Sequence, residues 1–165
     1  MKKYVLLLLV LLPIFSYTQS GTTIYLKIIE EMPPERVDDI KCYVQFSDNQ
    51  ASSVSEVCKP EVFTSDVWAR KKVKWRKNSD QAGNVTKVKI MAVHYTERKG
   101  SINILKKKIM VPNIWGNVNG RVQKEGIENL AQELYSITFK VTFETDGVSH
   151  EETYTIDPIL KFHAE

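Results

Sequence analysis

Residues 135–156 read YSITFKVTFETDGVSHEETYTI, and this stretch decides the fold class. Tyr135, Ile137, Phe139, Val141 and Phe143 alternate with Ser136, Thr138, Lys140, Thr142 and Glu144. A period of two puts every apolar side chain on one face of an extended strand. Asp146-Gly147 follows, and Val148, Tyr154 and Ile156 then share a face in a return segment. An Asp-Gly pair accepts positive φ at both central positions of a tight turn, whose twist matches two antiparallel strands. The expectation is a β-hairpin.

Working outward, the same alternation recurs. Ile24, Leu26 and Ile28 form one apolar face, and Ile40, Cys42, Val44 and Phe46 a second, with a break at Met32, Pro33, Pro34 and Glu35. Residues 47–60 read as a long polar loop, and residues 67–77 as a strand with Val67, Ala69, Val73 and Trp75 on one side. Residues 85–95 and 102–111 read as two more strands joined by a loop around Gly100, ending at Pro112. One short helix is expected over residues 124–134, where Ile127, Leu130, Ala131 and Leu134 have helical spacing and Gly126 weakens the pattern.

About seven or eight short strands separated by loops point to a mainly β chain folded as a single antiparallel β-sandwich. The run Ile127, Leu130, Leu134, Tyr135, Ile137, Phe139, Val141 resembles the corner and following strand of immunoglobulin-like and fibronectin type III domains. That resemblance implies a tyrosine at the corner bonded back to the backbone. It carries over no functional residues, and the tryptophan and cysteine arrangement of antibody domains is absent.

The N-terminus reads as an export signal. Lys2 and Lys3 precede an apolar run from Tyr4 to Phe15, followed by Ser16, Thr18 and Ser20. The run is too short to span a bilayer as a helix. Residues 1–20 are therefore expected to be a signal peptide, and residues 21–165 one domain released into the periplasm or the exterior without a membrane span. Cys42 and Cys58 are the only cysteines, and in an exported chain they are expected to form a disulfide. Once Lys2 and Lys3 leave, 21 basic residues face 20 acidic ones, so the total gives no general attraction to nucleic acid or anionic lipid.

The charges are nevertheless segregated. Between Trp68 and Met110 there are 13 basic residues and only two acids, Asp80 and Glu97. Neighbouring strands could build a basic face from Trp68, Arg70, Lys72, Lys74, Arg76, Lys87, Lys89, Lys106 and Lys108, with Trp68 as an exposed aromatic contact. The competing reading is that acid-rich segments such as residues 144–152 pair with these lysines across the sheet. His94 with Glu97, and His150 with Glu151 and Glu152, are the only pairs that could begin a metal or hydrolytic site. No nucleophile elbow, phosphate loop or zinc-protease helix is present. Asn84-Val85-Thr86 matches a glycosylation sequon, relevant only in a eukaryotic host. The expectation is a non-enzymatic exported module that binds a protein or glycan, with no cofactor, no metal and no nucleic acid. A structural subunit of an envelope assembly and an envelope-polymer hydrolase are the alternatives.

Overall fold

The computed structural model describes residues 21–50, 54–94, 102–123 and 126–164. The readings made for residues 1–20, for the loop around Gly100 with Glu97, and for Lys124 lie outside the described residues. The chain is mainly β, arranged in three sheets. The first has the order β2 (Val44–Asp48), β1 (Thr22–Ile28), β4 (Lys72–Lys77), β7 (Val118–Arg121). The second runs β10 (Val148–Ile156), β9 (Ser136–Thr145), β5 (Val85–His94), β6 (Ile109–Met110), and the third β3 (Thr64–Trp68), β11 (Ile159–His163), β8 (Gln132–Leu134).

The deciding hairpin forms as read. β9 and β10 pair antiparallel from Ile137↔Ile156 to Thr145↔Val148. Asp146 at φ 52° and Gly147 at φ 75° make the turn, and Ile137, Phe139, Val141 and Phe143 are all buried. The second sheet is antiparallel throughout, but the other two are not. β1 runs parallel to β4, and β3 parallel to β11.

Five local expectations need correction. Tyr135, at the expected corner, does not bond back to the backbone: its hydroxyl is buried without a hydrogen-bond partner. Residues 67–77 are not one strand. The backbone turns at Arg70, φ 61°, so that β3 joins the third sheet and β4 the first. The alternation survives because Val67, Ala69, Val73 and Trp75 are all buried on either side of that turn. Residues 127–134 form no helix. Leu130 takes φ 67°, Ala131 N–H donates to the Glu128 carbonyl, and Gln132–Leu134 pair with Ile159–Lys161, so sheet pairing overrides the helical spacing.

Residues 102–111 leave the second sheet except at Ile109–Met110. Glu133 is buried, and its carboxylate accepts the amides of Asn103 and Ile104 at 2.9 and 2.6 Å. This draws the segment across to β7, where Lys106 N–H donates to the Arg121 carbonyl at 3.0 Å. Finally, Ile40–Tyr43 is a 3-10 turn capped by Asp39, and the strand begins only at Val44.

One contiguous apolar cluster draws on all three sheets. Trp75, fully buried, lies against Tyr135 with ring centroids 5.7 Å apart, and Phe46 stacks on Phe63 at 6.0 Å. The Cys42–Cys58 disulfide forms. With Ser55, whose hydroxyl accepts the Phe46 amide at 2.9 Å, it ties the long loop after β2 to the core.

Candidate functional site

β4 positions the site. Its inward residues, Val73 and Trp75, are anchored in the core, so Lys72, Lys74 and Arg76 must project from the opposite face. Two clefts open along this row. The first, about 470 Å³, is lined by Lys72, Lys74, Lys106 and Lys107 with Asn119, Gly120 and Arg121 of β7. Arg121 Nε donates to the Arg70 carbonyl at 3.2 Å, which fixes its side chain.

The second cleft, about 390 Å³, lies where β4 passes β5. Arg76, Lys77, Lys87 and Lys89 supply its charge, and the turn Trp115-Gly116-Asn117 lines it with them. That turn is braced. Asn113 Oδ1 accepts the amides of Trp115 and Asn117 at 3.0 and 3.2 Å, and Gly116 N–H donates to the Asn113 carbonyl at 2.9 Å. Gly116 sits at φ 75°, a conformation that glycine adopts without strain. The result holds Trp115 in solvent at 77% exposure beside Ile114 at 88%. A large aromatic kept out of the core by a fixed turn is informative, because burial would otherwise be favourable.

The charge balance separates these lysines from the rest. Lys27 is matched by Asp80 at 2.5 Å, Lys41 by Glu61 at 3.2 Å, and Lys140 by Glu151 at 2.6 Å. Among the described residues, Lys72, Lys74, Arg76, Lys87, Lys89 and Lys106 form no ion pair with an acid. Among the described residues, cross-strand pairing by the acids of residues 144–152 reaches Lys140 and none of these six cations. Arg76 Nε is buried without a hydrogen-bond partner. The clefts concentrate positive charge that the fold itself leaves uncompensated.

The sequence-derived site residues divide. Lys72, Lys74 and Lys106 meet in the first cleft, and Arg76, Lys87 and Lys89 in the second. Trp68, Arg70 and Lys108 line neither. Trp68 is half-buried on β3, stacked on His163 at 5.3 Å, and His163 Nε2 lies 2.6 Å from Asp66 Oδ1. Among the described residues the exposed tryptophan is Trp115. Its signal lay in Asn113-Ile114-Trp115-Gly116-Asn117, where two large apolar residues fall inside a turn sequence that no strand could bury.

The histidine pairs do not converge. His94 pairs with Ser136, and His150 with Phe143. Those partners stand at opposite ends of β9, about 23 Å apart at roughly 3.3 Å per residue. Glu151 points outward to Lys140, and His150 stacks on Phe143 at 5.2 Å. Among the described residues no three metal-ligating side chains come together, and no helix is long and apolar enough to cross a membrane. Asn84 of the sequon is engaged with Met32, its amide group accepting from and donating to the Met32 backbone at 2.9 and 2.7 Å. The shifted titrations are structural. Burial raises the Tyr135 phenol far above its ordinary value, and burial also raises that of Tyr154. No protein-family model matches the chain, and no curated protein is significantly similar to it.

Proposed function

We propose that the protein is an exported, non-enzymatic binding module whose mature domain, residues 21–165, is an immunoglobulin-like β-sandwich that meets an acidic protein surface or glycan through the face along β4. The observation that carries this reading is the set of unpaired cations in the two clefts, on a chain whose mature net charge is close to zero. Uncompensated like charges repel one another. A face that gathers them gains from an anionic partner and gives nothing to the fold. The apolar run at residues 4–15 supports export, and the dispersal of His94, His150, Glu151 and Glu152 leaves no assembled hydrolytic site to favour.

The test is a comparative capture. The purified protein and a variant carrying Lys72→Glu, Lys74→Glu, Lys87→Glu and Lys89→Glu are used as baits against cell-envelope and culture-medium fractions at low salt. One stoichiometric, salt-eluted partner is expected on the native bait alone. Recovery of the same material by both baits would refute a role for the basic face.

A further inference from the structure

We propose that the second cleft is a subsite for an acidic saccharide, with Trp115 as the platform for a sugar ring and Arg76, Lys77, Lys87 and Lys89 as the counter-charges for its carboxylates or sulfates. The inference rests on the binding-module reading and narrows it from any anionic partner to a glycan.

Three observations carry it. First, the site is concave. An open cleft of about 390 Å³ lies between β4, β5 and residues 115–117, within the size range of small-molecule sites. A protruding acidic loop of a protein would have to fit the same space. Second, Trp115 is among the lining residues. A saccharide ring presents a flat face of C–H groups, and a rigid aromatic surface contacts it at little entropic cost. Trp115 is 77% exposed in advance of any ligand, and the turn that carries it is held by the side chain and backbone of Asn113. Peptide anions gain little from such a platform. Third, Arg76, Lys77, Lys87 and Lys89 line the same cleft as Trp115, and among the described residues none of them forms an ion pair with an acid. Arg76 is partly desolvated, with Nε buried and unpartnered. A guanidinium in that state gains most from charge-assisted hydrogen bonds to a planar carboxylate or a sulfate. Hydroxyl-rich neutral sugars would satisfy the platform and leave the charges unmet, so the acid groups set specificity.

The experiment is a tryptophan-fluorescence titration of the purified protein, with parallel calorimetry. The probes are tetragalacturonate, a sulfated tetrasaccharide, the methyl ester of tetragalacturonate, polyglutamate of equal charge and phosphatidylglycerol vesicles. Trp75 is buried and Trp68 stacked, so an emission change reports chiefly on Trp115. At least one acidic tetrasaccharide should bind and shift the emission, and the methyl ester should not. Trp115→Ala should remove the emission change and weaken binding by about tenfold or more, as expected for a buried aromatic anchor. Lys87→Gln with Lys89→Gln should weaken binding while retaining the emission change at saturation. Tighter binding to polyglutamate or to the vesicles than to either saccharide, or binding unaffected by Trp115→Ala, would overturn the saccharide assignment and leave the basic face standing. Failure of every anionic probe would overturn the saccharide assignment, and the comparative capture with the two baits would then decide the binding-module reading separately.

Discussion

Replacing Lys74 with glutamine should leave the protein as stable as before, or slightly more stable, although it removes a charge from the middle of a sheet. Lys74 lies between Lys72 and Arg76 on one face of β4, and like-facing residues on a strand are about 6.6 Å apart. Two unit charges at that distance repel by about 0.6 kcal/mol in water, and by about 0.3 kcal/mol once 0.15 M salt screens them. Lys74→Gln should therefore add about 0.5 kcal/mol at physiological ionic strength, rising toward ~1 kcal/mol at low salt. Glu151→Gln provides the contrast. It breaks the half-exposed pair with Lys140 and should cost up to about 1 kcal/mol. Urea unfolding of both variants at two salt concentrations reads the difference directly. If Lys74→Gln lost about 1 kcal/mol or more, with the loss shrinking in salt, the lysine would be paired with an acid and its role would be structural.

Other outcomes follow from the packing. Replacing Cys42 and Cys58 with serine should lower stability by on the order of 3 kcal/mol from loop-closure entropy, seen as a lower urea midpoint under non-reducing conditions. Gly120→Ala should cost about 1–3 kcal/mol. Its methyl would lie 2.8 Å from Met110 Sδ and 3.0 Å from the Trp75 ring, and thermal unfolding would register the strain. Stability should also fall as pH rises above the ordinary tyrosine value near 10. Tyr135 and Tyr154 stay protonated in the folded state while the unfolded chain ionises, so their contribution is complete below that value and lost above it. Alkaline melting curves should show this slope, and Tyr135→Phe with Tyr154→Phe should flatten it.

The sequence made the strands legible where alternation is strict and both neighbours are known. β9, β10 and β1 follow their apolar residues, and the two cysteines pair. What it hid was determined by distant contacts. Arg70 looks like one more basic residue in an alternating run, yet its positive φ sends β3 and β4 into different sheets. The helical spacing of Ile127, Leu130 and Leu134 competes with a sheet edge offered by β11, a partner remote in sequence. Glu133 gives no sign in the sequence of being the acceptor that pulls residues 103 and 104 out of the second sheet. At the candidate site, the basic block was visible as composition, and its division into two clefts needed the tertiary fold. Trp68 lies within the basic block in sequence, whereas the tryptophan that shares a cleft with Lys87 and Lys89 is Trp115, three residues beyond Pro112.

The central claim is that the uncompensated charge along β4 exists for contact with an anionic partner. The most direct measurement is the dissociation constant of the purified protein for an acidic tetrasaccharide as a function of sodium chloride, set beside that of the protein with Lys72, Lys74, Lys87 and Lys89 changed to glutamate. The account predicts affinity that weakens steeply with salt in the native protein and is absent from the variant at every ionic strength. Equal affinities in the two proteins, or an affinity indifferent to salt, would contradict it.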